Sequence, residues 1–314
     1  MPKTNGGTLD RYRYAGHWRE RNPGELVRLE EMLENMGRKS ACDLVREDQE
    51  KYRPAVEYMV GLYLDWAKER LGLRLGKRRP HQESVVVKDV SGYEDISGRG
   101  FADVLTRDIY AVAKGPKDGT FLKILGHELG HLFACTSLHP SREGFVKGGR
   151  TGYENVSSRN YKEFNDWVNE MINQEVLQMG RQRDGLAIEV EDHYSAEGLI
   201  ILDTLLVDLS RRRKRRYDQT ANIFYQGYFT GDTKGLRLIK DAYGVEALKA
   251  LSQLKDRELD SGDLGIDMEA LAKFLELIGF SLGEIVGKTA VMEDGGKYRL
   301  GNGIEIWHKN FEQT

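Results

Sequence analysis

The chain has 314 residues, 39% of them hydrophobic and 31% charged, with a net charge of −3; this is enough for one large core or two modest ones. So even a balance of charge gives no global attraction to nucleic acid or to an anionic membrane. No apolar run reaches the roughly 20 residues that span a bilayer, since the best stretch, 198–209, is broken by Asp203 and Asp208. The opening Met-Pro-Lys-Thr-Asn-Gly-Gly lacks the apolar segment of a signal peptide. Two cysteines, Cys42 and Cys135, make no disulfide framework. The expectation is a cytoplasmic protein without membrane or nucleic-acid partners.

Taken in order, residues 1–24 are rich in Gly, Arg and Tyr without periodicity and read as a loose arm. Helical stretches follow at about Glu25–Met36 and Ala41–Leu71. The second carries Val56, Met59, Val60, Tyr63, Leu64 and Ala67 on one side, and Pro54 marks a kink or a fresh start. Lys77–Pro80 is a linker, and Ser84–Val90 is a strand. Residues Gly98–Ala113 form a further strand or hairpin, with Gly98 and Gly100 suited to a bulge. An extended peptide can add to the edge of such a sheet.

Phe121–Cys135 repeats its apolar residues at helical spacing, with Asp118 or Thr120 as a cap. Residues Thr136–Asn160 read as a loop, followed by a helix over Tyr161–Met179. Another helix spans His193 to about Leu209 and ends in the six cations Arg211–Arg216. Cations belong at a helix C-terminus, where the dipole favours them, so this run reads as a solvated helix end rather than a nucleic-acid site. Residues Tyr217–Leu254 are helical, punctuated by Gly227, Gly231-Asp232 and Gly244. A helix over Asp267–Leu277 and a hairpin over Thr289–Trp307, turning at Gly295-Gly296, close the chain.

The chemistry concentrates at His127-Glu128-Leu129-Gly130-His131. Residues four apart lie one above the other on a helix, so both histidines can face one metal ion. Glu128 sits about 100° round the helix and can act on a water there. With 7 histidines and 50 acidic residues, chance gives about 0.02 occurrences of His-acid-x-x-His in this chain. A catalytic zinc takes three protein ligands, so a third is required. A downstream third histidine at glycine-spaced positions is excluded, because those positions hold Ala134 and Ser137, and His139 is followed by Pro140. Cys135, one turn past His131, can approach the metal but reads as a small buried residue. His81, His139 and His308 read as surface or loop residues. The helix after Tyr161 offers Asp166, Glu170 and Glu175 as carboxylate ligands.

In Asn169-Glu170-Met-Ile-Asn173-Gln174 the chain resembles the thermolysin-like gluzincins, whose ligand glutamate follows an asparagine in an Asn-Glu-x-x-(Ser/Thr)-acid pattern. Asn173 and Gln174 depart from it, and Gln174 replaces the acid that would orient His127. Arg150-Thr-Gly152, Tyr194-Ser-Ala-Glu197 and Tyr228-Phe-Thr-Gly-Asp232 are similar, more loosely, to segments of small bacterial and phage gluzincin-like proteins. The resemblance covers about residues 98–255 and implies Zn2+ held by His127, His131 and Glu170, with Glu128 as general base. It points to a Tyr or His on a later helix for the oxyanion: Tyr194 first, His193 beside Asp192 second, and Tyr217 or Tyr161 third.

The expected fold is α+β, mostly helical: a zincin-like catalytic domain with a small mixed sheet, an active-site helix and a glutamate helix, plus N-terminal helices. Its expected divisions are an N-terminal region at 1–75, the catalytic domain at 76–260, and a C-terminal helix and hairpin at 261–314 packed on it. The expected function is a zinc metalloendopeptidase acting on a peptide or protein. Two alternatives are a regulatory or toxin-like protease specific for one partner and a non-catalytic zinc-binding module. Intact Glu128 argues against the last, since a structural site needs no base.

Overall fold

A computed structural model describes residues 46–75, 87–89, 100–102, 109–111, 119–140, 146–155, 158–186, 196–254, 256–258, 264–293 and 298–306. Among these, helices predominate, with short strands in four small sheets. The architecture is therefore α+β and mostly helical. None of the described helices is long and apolar enough to cross a membrane.

Helix α1 (Arg46–Leu71) runs through Pro54 without a fresh start. Tyr52, Ala55, Val56 and Met59, on either side of the proline, are all buried in the core, and that burial outweighs the one backbone hydrogen bond that proline cannot donate. Strands β1 (Val87–Asp89), β2 (Gly100–Ala102) and β3 (Ile109–Ala111) form a mixed sheet in the order β1-β3-β2. β3 pairs parallel with β1 and antiparallel with β2, which leaves β2 at an edge among the described residues. β2 and β3 both pack on α2 (Gly119–Phe133). Thr120 falls inside α2 rather than capping it, and Asp118 lies outside the described residues.

The stretch expected as a loop after α2 contains a hairpin instead. β4 (Thr136–Pro140) pairs antiparallel with β5 (Val146–Thr151), with an irregularity between Ser137 and Leu138. Pro140 is tolerated because it ends its strand, where the ladder asks for no further donor. Helix α3 (Lys162–Asp184) stops at Gly185, whose left-handed φ of 64° lets its N–H reach Arg181 O. Then come α4 (Ala196–Arg213), α5 (Tyr217–Thr230) and α6 (Lys234–Gln253). Gly231 closes α5 at φ 75°, and Gly244 interrupts α6 at φ 90° and ψ 176°. Gly227 lies within α5, where the absence of a Cβ leaves room for the Tyr153 hydroxyl, which donates to Phe224 O at 2.9 Å. At the end of α4 the cations pair locally: Arg212 with Asp208, Arg213 with Asp241 and Arg216 with Asp218.

The C-terminal part departs furthest from expectation. β6 (Asp256–Glu258) and β7 (Leu264–Ile266) pair antiparallel before α7 (Met268–Ile278), which Asp267 caps by accepting from the N–H groups of Glu269 and Ala270. Residues 289–293, expected as a strand, end helix α8 (Leu282–Glu293). The closing hairpin is shorter, β8 (Tyr298–Arg299) against β9 (Glu305–Ile306). It turns through Gly301–Gly303, where Gly303 N–H donates to Leu300 O at 2.8 Å and Gly303 takes the left-handed φ of 86° that a three-residue hairpin loop asks of its last residue. Gly295-Gly296 lies outside the described residues.

One core joins these elements. α1 packs on α2, α3 and α5, and its Tyr52, Met59, Tyr63 and Trp66 are buried with Phe121, Phe133, Phe229 and Tyr225. Tyr52 meets Phe121 at 4.9 Å between ring centroids, and Tyr63 stacks on Phe133 at 5.4 Å. Helix α1 is thus a brace beneath α2.

Candidate active site

The site grows from the crossing of α2 and α3. Phe121, Leu122, Leu125, Leu129, Leu132 and Phe133 bury one broad side of α2. Gly126 and Gly130 meet α3, where a Cβ on either would overlap a buried asparagine: Asn173 against Gly126, Asn169 against Gly130. A third asparagine four residues earlier, Asn165, fills the same place against Gly152. The stripe Asn165, Asn169, Asn173 thus docks on a row of bare backbone. The side-chain amide of Asn169 donates to His127 O at 2.8 Å, that of Asn173 to Lys123 O at 3.1 Å, and Asn165 Oδ1 accepts from Tyr153 N–H at 2.8 Å. From below, the Tyr63 hydroxyl donates to Gly126 O at 2.7 Å. The backbone of α2 is pinned on two sides.

On this frame His127 and His131 turn their Nε2 atoms to one point, 3.2 Å apart. Two donors on one tetrahedral zinc, each at about 2.0–2.1 Å, have that kind of separation. His127 Nδ1 lies 2.7 Å from Glu170 Oε2. The other Glu170 oxygen accepts from Gln174 Nε2 at 2.5 Å, and Asn173 Nδ2 is 3.4 Å from Oε2. Asp166 Oδ1 is 3.6 Å from His131 Nε2, with Lys162 Nζ 3.9 Å from its other oxygen. Tyr228 Oη, fully buried, stands 3.4 Å from His131 Nδ1. Among the described residues, no three His, Cys, Asp or Glu side chains are gathered tightly enough to form a finished metal site.

The electrostatics follow from burial and these neighbours. Burial works against charge on His127, but the Glu170 hydrogen bond and the surrounding carboxylates overcome it and raise its pKa to about 9. His131 is held well below the usual range, first by burial and then by the charge of His127, so it is a neutral imidazole, the form that ligates metals. Glu128 is only 6% exposed. Burial raises its carboxyl to about 7, against the opposing pull of His127 and of the Ala102 N–H on edge strand β2. A buried carboxylate poised near neutrality suits a general base.

Of the other expected site residues, Tyr194 and His193 lie outside the described residues. Glu175 is not at the site: its carboxylate accepts from Arg70 Nε at 3.1 Å, the Tyr225 hydroxyl at 3.0 Å and Asn302 Nδ2 at 3.2 Å. Tyr217 packs on Gly301 beside Asp203, eleven residues along α5 from Tyr228 and so about 16 Å distant at helical rise. That places Tyr217 on the Asp203 side of α5. Tyr161 holds the left-handed position before α3, at φ 62°. Cys135 is buried, and its N–H donates to Tyr228 O. Arg150-Thr-Gly152 and Tyr228–Asp232 meet there: Gly152 N–H donates to Cys135 O, and Arg150 donates to Gly231 O at 3.2 Å.

Sequence reasoning assigned no role to Tyr228 or to the asparagine stripe. The signal was available for the stripe, in the four-residue spacing of Gly126 and Gly130 matched by that of Asn165, Asn169 and Asn173. No protein-family model matches this chain, and no curated protein or solved structure is significantly similar to it. The likeness to gluzincins rests on the motif residues themselves.

Proposed function

We propose that this chain is a zinc-dependent metallopeptidase of gluzincin-like type, with a zincin-like catalytic domain built around α2, α3 and the β1–β3 sheet. The observation that carries it is the convergence of His127 and His131 Nε2 at 3.2 Å beside a buried Glu128 on the same helix. The geometry fits the metal: the two Nε2 atoms face each other, and a carboxylate on the Nδ1 side of His127 leaves its Nε2 facing outward. His127, His131 and a carboxylate of α3 would hold the ion. Bound zinc would supply Lewis acidity toward water and the scissile carbonyl.

The protein's own part is proton transfer and alignment. Glu128 takes a proton from the attacking water as its oxygen bonds to the carbonyl carbon, then passes it to the amine as the C–N bond breaks. The edge of β2, whose Ala102 N–H already reaches Glu128, gives an extended peptide backbone a strand to pair with. Tyr194 and His193 are proposed for the oxyanion, from the sequence.

The test is zinc content and peptide-library cleavage for wild type and Glu128→Gln. Wild type should hold one zinc and cleave; Glu128→Gln should hold one zinc and cleave about 10²–10⁴ times more slowly. A wild type that stays zinc-free after reconstitution, or a variant that cleaves at the wild-type rate, would overturn the proposal.

A further inference from the structure

The geometry points to Asp166, rather than Glu170, as the α3 carboxylate that completes the metal site, with Glu170 acting from behind as the group that positions His127. This rests on the metallopeptidase proposal and departs from the glutamate ligand that the gluzincin resemblance implies.

The two helices meet in a ladder of fixed register. Gly126 meets Asn173, His127 meets Glu170, Gly130 meets Asn169, and His131 meets Asp166. As numbers rise on α2 they fall on α3, so the helices run in opposite senses across this contact. Asn169 locks the register through its bond to His127 O, and the two glycines leave no room for a slip. Asp166 and Glu170 are four apart and lie on the same side of α3, yet each reaches a different histidine.

They also reach different nitrogens. The two nitrogens of an imidazole point to opposite edges of the ring, and when one faces a metal the other faces an outer partner. Glu170 is against His127 Nδ1, while the Nε2 atoms are the pair that converges. Both Glu170 oxygens are engaged, Oε2 by His127 and Asn173 and Oε1 by Gln174, at 3% exposure of the residue. Asp166 stands on the convergent side, 3.6 Å from His131 Nε2. A tetrahedral site with bonds of about 2.0–2.1 Å places its donors roughly 3.3 Å apart, close to the 3.6 Å between Asp166 Oδ1 and His131 Nε2, while the other Asp166 oxygen lies 3.9 Å from Lys162 Nζ. At 28% side-chain exposure it also borders solvent, as a ligand beside an open position would. Gln174 then has a purpose: the acid that would orient His127 is one turn earlier, at Glu170, and the Gln174 amide holds it.

The experiment measures Zn2+ affinity by competition with a chelating dye, and the visible spectrum of the Co2+-loaded protein, for wild type, Asp166→Asn, Asp166→Glu and Glu170→Gln. Thermal unfolding of each metal-free protein serves as the folding control. Asp166→Asn should weaken Zn2+ by more than the roughly 10–100-fold expected for an outer partner and alter the Co2+ spectrum. Glu170→Gln should weaken Zn2+ by about 10–100-fold and keep the wild-type band pattern, because the donor atoms are unchanged. Should Asp166→Asn unfold early, Asp166→Glu decides: a shifted Co2+ spectrum with partial recovery of affinity supports Asp166 as a ligand, and an unshifted one overturns it. A lost Co2+ spectrum in Glu170→Gln, with Asp166→Asn unaffected, overturns the assignment and leaves the metallopeptidase proposal standing. Failure of wild type to bind either ion removes the proposal beneath it as well.

Discussion

Gly130 on α2 and Asn169 on α3 lie so close that a single added Cβ on the glycine would overlap Asn169 Oδ1, the same side chain whose amide donates to His127 O at 2.8 Å. The packing of two helices and the aim of a site histidine are therefore one contact. Gly130→Ala must push Asn169 aside, and Tyr63 Oη, 2.9 Å from that Cβ position, closes the other way out. Overpacking of this kind costs about 1–3 kcal/mol. Urea denaturation should show that loss, and Zn2+ affinity should fall with it; a variant as stable as wild type would mean that α3 can retreat freely.

Glu175 gives the contrasting case. It is half-buried against Arg70, Tyr225 and Asn302 and joins α1, α3, α5 and the β8–β9 turn. Glu175→Ala leaves Arg70 without its nearest carboxylate and should cost about 1–3 kcal/mol. Zinc content per folded molecule should stay that of wild type. Loss of metal without loss of stability would return Glu175 to the list of ligands.

Asp203 predicts a pH dependence. Its Oδ1 accepts from Gly301 N–H at 2.7 Å and its Oδ2 from the Tyr298 hydroxyl at 3.2 Å. Burial outweighs these donors and raises its carboxyl above the usual range. The folded chain then holds this proton more tightly than the unfolded chain does. The contribution to stability is full below the unfolded value of about 3.9 and is lost as pH rises through the folded-state pKa. Asp203→Asn carries no such term. The stability of wild type minus that of Asp203→Asn, from urea unfolding between about pH 4 and pH 7, should fall as pH rises. A rise would mean that the hydrogen bonds to the carboxylate dominate.

Metal linkage is checked by melting. If zinc binds the folded chain alone, free zinc at 100 times its Kd adds roughly 2.7 kcal/mol. Chelator-treated protein should melt at a higher temperature when zinc is restored, and His131→Ala should not respond. Equal responses would place the stabilising zinc elsewhere.

Much of this was legible in the sequence because it is local. The pair His127 and His131 converges by helical spacing alone, and Glu128 follows from being next in line. The apolar repeat of α2 and the breaks at Gly231 and Gly244 are likewise written in neighbouring residues, whereas α3 runs past the expected end at Met179 to Asp184. The closing hairpin was half legible: a Gly301–Gly303 turn is a local signal, but two-residue strands are too short for any alternation to appear. β4 and β5 were missed because each is half of a pair, and a strand's partner is not a property of its own sequence. What no local pattern fixes is the register of α3 on α2. Helical spacing leaves Asp166, Glu170 and Glu175 all open, and the resemblance alone favours Glu170, until glycines at 126 and 130 and asparagines at 169 and 173 lock the two helices together. Only that packing decides which carboxylate meets Nδ1 of one histidine, which meets Nε2 of the other, and which is carried away to Arg70, because helix-to-helix register is set by side chains far apart in the chain.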